Sequence, residues 1–542
     1  MHQAMSGFIL RYPLSAGKPD MTVATTPSIP EMMRATAERY GDQPAILFAD
    51  SNVTFGQVDQ QSDAVAAALA GQGVGKGDRI ALYCVNSAEF AIAYAGIVKA
   101  GAVVVPVNLL LNPREILYIL KDAGVTGLIY HHLMAAGVAA FRDELATLGF
   151  AVCIGGEDVN PQDLDFAALC RSGAPTPRPV LDPDEDLAAI LYTSGTTGHP
   201  KGAMLTHRNL VSNTCSVKAA LQLRAGEDRL LVVLPMFHSF AATVGTLTPL
   251  LHGFSLAPVP KFDPVTVSEV IEAVGATVFL GVPSMYNVLL RMPEEQVRRW
   301  SSIRYCVSGG AAMPEAIMHQ FEERFGMPVC EGDGPTECSP VTCVNPVDGV
   351  RKPASVGLPV PEVEMEIYDD AGQRIGIDSI GEICVKGPNV MKGYWNLPEE
   401  TAESFFGEWV RTGDLGYKDA DGYVYIVDRK KDMIIVNGMN VYPRMVEELL
   451  YAHPAILEAA VVGEPSELHG EIPVAYVVLK EDEQLAAAEI RAYCRENLGR
   501  HEVPRKIQLC PNLPKNAAGK ILKRELRKSG ELERGIDIRS PD

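Results

Sequence analysis

The eleven cysteines contain no C-x-x-C pair, which removes the simplest zinc and dithiol arrangements. Most lie in apolar strings such as Tyr83-Cys84-Val85 and Ile383-Cys384-Val385. They read as buried thiols of a reducing compartment, so a cytoplasmic location is expected. Positive charge is also short: 48 Lys and Arg face 68 Asp and Glu, a formal net charge of −20. That balance argues against non-specific nucleic-acid binding and favours solubility. From Asp428 onward, however, 18 basic residues face 19 acidic ones, so the excess lies almost wholly in the first 427 residues. The amino terminus carries Arg11 and Lys18 but no sustained apolar run, and no secretory signal is read there. Neither internal repeats nor low-complexity tracts occur. One uncharged run, Leu231 to Pro260, could span a bilayer by length alone. Pro235, Gly245, Pro249, Gly253 and Pro258 interrupt it. It reads instead as a buried strand, loop and helix that wall an apolar cavity.

What is present fits a globular chain: 47% of residues are apolar and 21% charged. A length of 542 residues predicts two to four domains. Between residues 28 and 130 strand and helix patterns alternate. Thr54 opens a helix that stops near Gly71, Asp78–Cys84 is a strand, Ala88–Ala100 a helix, and Ala102–Pro106 a strand. Alternation of this kind predicts an α/β fold with mostly parallel, helix-covered sheet. From about Ala354 the strands shorten and alternate, with Asp421-Gly422 as a hairpin signal, so a more antiparallel β unit is expected. The charged string Asp428-Arg-Lys-Lys-Asp432 reads as an exposed, solvated joint ahead of a compact α+β region. The expected division is a loose extension over 1–25, a large amino-terminal α/β domain over 26–427, and a small mobile domain over 428–542 hinged at Asp428.

The most informative string is Leu191-Tyr-Thr-Ser-Gly-Thr-Thr-Gly-His-Pro-Lys-Gly202. An apolar run, Leu187 to Tyr192, breaks into small hydroxylated chain. Gly195 and Gly198 allow successive backbone N–H groups to turn toward one anion. Thr193, Ser194, Thr196 and Thr197 add hydroxyl donors, and Lys201 adds a mobile positive charge. The string predicts a polyphosphate cradle. It is not a Walker loop, because His199 and Pro200 separate the second glycine from the lysine.

Four further strings follow in order: Ser308-Gly-Gly-Ala-Ala, Glu331-Gly-Asp-Gly-Pro-Thr-Glu-Cys-Ser, Arg411-Thr-Gly-Asp-Leu-Gly-Tyr, and Pro514-Lys-Asn-Ala-Ala-Gly-Lys-Ile. Together with the cradle they resemble the adenylate-forming superfamily of acyl-CoA synthetases, adenylation domains and luciferases, over about residues 28–528. The resemblance implies a large α/β domain, a small mobile domain and an active site in the cleft between them. It also implies ATP, Mg²⁺ and coenzyme A. Gly309, Gly310 and Ala311 would line adenine and the acyl group, with Gly332, Asp333 and Gly334 close by. Thr336 and Glu337 would meet the α-phosphate and Mg²⁺, with Thr193 beside the metal. Asp414 would take the ribose hydroxyls, and Arg429 would sit near the same ribose. Lys520 matches the catalytic lysine: an ammonium touching both carboxylate and α-phosphate lowers their repulsion in the transition state. Gly438 would border the thiol channel in a second pose of the small domain.

The string Leu234-Pro-Met-Phe-His-Ser-Phe resembles the acid-binding wall of fatty acyl-CoA synthetases. There His238 would shield the reacting carboxylate, a satisfied core histidine being the alternative. No Lys or Arg breaks this wall, which favours an apolar monocarboxylate, medium- to long-chain. Aryl-acid CoA ligase, an acyl-AMP ligase loading a carrier protein, and a non-catalytic binding homologue stay open. Two positions depart from the family pattern. Asp333 stands where an adenine-stacking aromatic is usual, and a carboxylate cannot stack; Met445 stands where a glutamate is usual. The basic cluster of residues 505–528 leaves peripheral membrane contact open, and a homodimer likewise.

Overall fold

The computed structural model describes residues 26–156, 160–171, 173, 175–193, 199–515 and 519–527. The expected extension over 1–25 and five cradle residues, Ser194, Gly195, Thr196, Thr197 and Gly198, lie outside the described residues.

Among the described residues the strands form four sheets, of eight, nine, five and five strands. The eight-stranded sheet carries Leu187–Thr193 next to Val103–Pro106, then Arg79–Tyr83 and Gly127–His131, paired in parallel. Its other edge turns antiparallel, through Lys201–Thr206 and then Gly393–Tyr394. In the nine-stranded sheet Arg229–Val232, Val278–Gly281, Tyr305–Ser308 and Val329–Asp333 run in parallel, each residue row in register with the next. Such strands are buried on both faces, which explains why they read as continuous apolar runs. Helices cover them. Phe55–Gly71 starts where expected, because Thr54 Oγ1 accepts from Gln57 N at 3.2 Å and Gln57 Oε1 accepts from Thr54 N at 2.9 Å. This reciprocal cap satisfies two otherwise orphaned donors. Ala88–Lys99 ends at Gly101, whose φ of +80 only glycine adopts readily.

The third sheet is antiparallel, as its short alternating strands predicted. Trp409–Lys418 and Val424–Arg429 pair around Asp421-Gly422, with the Tyr417 and Tyr425 rings stacked at 4.8 Å. The fourth belongs to the small carboxy-terminal α+β unit. Ile456–Ser466 pairs antiparallel with Gly470–Leu479, helices Pro443–Ala452 and Ala487–Asn497 flank them, and Lys506–Leu509 adds in parallel. Cys84 and Cys384 are buried, and burial pushes both thiols up to about 12.

Two expectations need correction. Asp428 is not an exposed linker residue: it ends the strand Val424–Arg429 and is 5% exposed. Its carboxylate accepts from the N–H of Arg429 and of Arg444, both at 2.7 Å. Charge density in the string thus reflects local pairing and not solvation. The uncharged run Leu231–Pro260 does hold a strand, Arg229–Val232, and a short helix, Thr248–His252. Between them, however, Ala241–Leu247 is a π-helix. Thr246 Oγ1 donates to Ala241 O at 3.0 Å and Thr248 Oγ1 to Thr243 O at 2.8 Å, both five residues back. No helix among the described residues is long and apolar enough to cross a membrane.

Candidate active site

The site is a cleft between the parallel strands of the large unit and the loop carrying Lys520 in the small one. Thr193 ends the strand Leu187–Thr193 and lies in register with Lys201. Thr193 Oγ1 is 3.5 Å from Glu337 Oε1. The same carboxylate oxygen accepts from the Tyr394 hydroxyl at 2.8 Å, and Lys201 Nζ stands over the Tyr394 ring at 5.3 Å. Thr336 shares a hydrogen bond of 3.1 Å with Ser239. Three separate strings therefore meet at one point. Glu337 with the Thr193 hydroxyl supplies the few hard oxygen ligands that Mg²⁺ takes when phosphates and water complete its shell, so these residues fit that ion.

On the other side Asp414 and Arg429 face each other across paired strands, with Arg429 Nε 3.2 Å from Asp414 Oδ1. Asp414 thus arrives oriented, with one oxygen committed and another left for a vicinal diol. Lys520 reaches the same cleft. It is open to solvent but crowded by protein on its flanks, and burial with Arg429 lowers its pKa against the pull of Asp414 and Asp333. Burial raises Asp414, against Arg429 and Lys520. Burial and Asp414 push Asp333 up to about 6, against the Gly334 N–H, Lys520 and Arg429. Burial, then Lys520, pulls His238 down to about 4, which leaves its ring neutral at pH 7. The charge of Lys520 is thus felt at His238, although the two are far apart in the sequence.

Gly519, before the lysine, has φ +79, and a Cβ there would collide with Ser284 Oγ of the large unit. A bare backbone is what lets the loop seat. In the large unit lies a pocket of about 40 Å³, lined by His238, Phe240, Val244, Gly309, Gly310 and Val341 among others. Ser308, Gly332, Asp333 and Gly334 also border it, and Ala311 continues the strip. A Cβ at Gly309 would stand 3.2 Å from the Phe240 ring, so a side chain there would narrow the cavity. Apart from Asp333, His238 and the Cys343 thiol, the described lining carries no titratable side chain.

Gly438 is the candidate that the structure leaves out of the cleft. With Asn437 it forms the exposed turn between Ile434–Val436 and Met439–Val441, both with positive φ. Tyr394, Ser239 and Ser284 were not legible as site residues. Tyr394 comes in only because Gly393–Tyr394 pairs with Lys201–Thr206, a contact spanning almost two hundred residues, and the one local sign is the Gly393-Tyr-Trp395 string itself.

Thr193, Lys201 and Glu337 on one side, Asp414 with Arg429 on another, Lys520 in the same cleft and an apolar pocket form an arrangement suited to activating a carboxylate with a nucleotide. A family model for AMP-binding enzymes matches residues 33–395, and one for the AMP-binding enzyme C-terminal domain matches residues 445–520. The chain belongs to the AMP-binding family of AMP-forming acyl-CoA ligases. It is 37% identical over 526 residues to a long-chain-fatty-acid–CoA ligase of Bacillus subtilis (strain 168), covering 92% of this chain and 94% of that one. A sulfoacetate–CoA ligase of Cupriavidus necator is 35% identical over 516 residues, covering 93% and 99%. Among solved structures, an anthranilate CoA ligase in complex with anthranoyl-AMP superposes with a TM-score of 0.87 at 31% identity, covering 94% and 98%.

Proposed function

We propose that the protein activates a medium- to long-chain fatty acid in two steps at this cleft. First a carboxylate oxygen of the acid attacks the α-phosphorus of ATP; an acyl–O–P bond forms, the bond to the β-phosphate oxygen breaks, and pyrophosphate leaves. Then the thiol of coenzyme A attacks the acyl carbon; a C–S bond forms, the C–O bond to AMP breaks, AMP leaves, and the thiol proton passes to solvent. The observation that carries this reading is the cavity itself. Its mostly apolar lining includes His238, which feels the charge of Lys520, and a carboxylate head would sit there with its tail against the apolar wall.

Lys520 places an ammonium between the two reacting anions, where charge moves most in the transition state. Asp414 and Arg429 hold the ribose side of the nucleotide, and Lys201 with the Thr193 hydroxyl steadies the outgoing phosphates. Neutral His238 closes the cavity mouth without adding a charge that would hold the carboxylate too tightly. Mg²⁺, which Glu337 and Thr193 would hold, offsets phosphate charge when bound. The small domain, residues 428–542, would then turn about Asp428 to withdraw Lys520 and admit coenzyme A, bringing the Gly438 turn inward.

An exchange assay between ATP and labelled pyrophosphate tests the reading, run with acids from acetate to palmitate, with benzoates and with sulfoacetate. Exchange is expected to rise with apolar chain length, and Lys520→Ala to lower it by about 100- to 1000-fold. Exchange confined to benzoates or to sulfoacetate would overturn the assignment of the acid.

A further inference from the structure

Glu331 and Arg444 make a contact between the two units that none of the chemistry above uses. Glu331 lies on the strand Val329–Asp333, two residues before Asp333, and is 1% exposed. Its Oε1 accepts from the Met313 N–H at 2.9 Å, and Met313 closes the Gly309–Gly310–Ala311 turn. Its Oε2 is buried without a hydrogen-bond partner among the described residues. A buried carboxylate in that condition destabilises the fold unless a charge faces it. Arg444 does so from the helix Pro443–Ala452, with Nη2 3.9 Å from Glu331 Oε1.

Arg444 is itself fixed from several sides. Its backbone N–H donates to Asp428 Oδ2 at 2.7 Å, and Nη1 donates to Ile426 O at 2.6 Å. Nε stands 3.8 Å from Glu448 Oε1, while Glu448 Oε2 accepts from the Glu315 N–H at 3.4 Å. One guanidinium therefore touches the strand that ends at the joint and the strand that runs into the cleft. Burial pushes Glu331 up to about 7, Arg444 and the Met313 N–H oppose this, and Glu448 and Asp333 add to it. Arg444 thus favours the charged form of Glu331 against the pull of burial.

We infer that Arg444 and Glu331 are positioning residues whose contact holds the small unit, and Lys520 with it, over the cleft during the first step. The inference rests on the two-step ligase reading. In the second step the small unit turns away, the contact is broken, and nothing about that step requires it. Removing the contact should therefore slow adenylation and leave thioester formation alone, which a general loss of folding would not do.

The half-reactions are measured separately on the full chain, by pyrophosphate exchange and by acyl-CoA formation from added acyl-AMP. Arg444→Met is expected to lower exchange about tenfold while thioester formation stays within about twofold of the parent. Arg444→Lys should recover most of the exchange. Glu331→Gln should act in the same direction, and the double variant Glu331→Gln with Arg444→Met should be no worse than Arg444→Met alone, since one contact is lost only once. Equal loss of both half-reactions, or additive losses, overturns the inference. A second readout does not need activity: trypsin should cut beside Lys430 and Lys431, next to the joint, faster in Arg444→Met than in the parent. Equal cleavage rates overturn the inference. A parent enzyme inert toward every acid would instead sink the ligase reading, and the cleavage comparison would still decide whether the contact holds the small unit in place.

Discussion

Tyr394 and Asp333 show what single residues contribute beyond the strings that contain them. The Tyr394 hydroxyl donates to Glu337 while its ring lies under Lys201, so one side chain orients both the carboxylate and the ammonium. Lys201, Glu337, Asp414 and Lys520 were legible because each sits in a contiguous string with its own local chemistry. Tyr394 and Arg444 were not, because their roles arise only when distant strands or helices come together. Asp333 was legible as an anomaly, and in the fold it feels the charges of Asp414, Lys520 and Arg429. Its raised pKa gives a signed expectation. Below about 6 Asp333 is neutral, and above that it is an anion beside a polyanionic nucleotide. The KM for ATP, divided by that of Asp333→Asn at the same pH, should rise between pH 5 and 7. A ratio flat across that range would mean that Asp333 keeps one protonation state throughout.

Helices and strands were read most securely where local signals agreed. The capping pair Thr54 and Gln57, the stop at Gly101 and the Asp421-Gly422 hairpin are all short-range devices, each visible within five residues of sequence. Thr54→Ala removes one such device far from the cleft. It should cost about 1 kcal/mol of stability with turnover unchanged, as thermal melting beside an activity assay would show. The stretch Ala241–Leu247 could not be read in the same way. Its five-residue hydrogen-bond spacing matches neither the 3.6-residue nor the two-residue period that apolar patterning reveals, and every residue in it is buried, so no polar face marks its turn. That it supplies Val244 to the cavity wall fits the habit of π-turns to occur where a site needs side chains out of helical phase.

At the scale of the whole chain, two units and a joint carry the proposed cycle. Asp428 stands at the proposed joint, and its burial was not legible in the sequence, because the N–H groups that it accepts from belong to the next residue and to a helix that begins fifteen residues later. Asp428→Pro fixes φ at the joint and also removes that carboxylate, so Asp428→Ala serves as the comparison. Only the proline variant should favour one half-reaction over the other, and equal loss of pyrophosphate exchange and thioester formation in it would remove the joint from the mechanism. How near the two units can come is set elsewhere, by the missing side chain at Gly519. Since a single methyl group there would strike the Ser284 hydroxyl, residue 519 works as a spacer of zero thickness, and the depth to which Lys520 is inserted is gauged by contact of bare backbone with the Ser284 and Val282 side chains instead of by the strength of any attraction. Thickening that spacer by one carbon would leave every charge in the cleft in place and still hold the lysine short of its target.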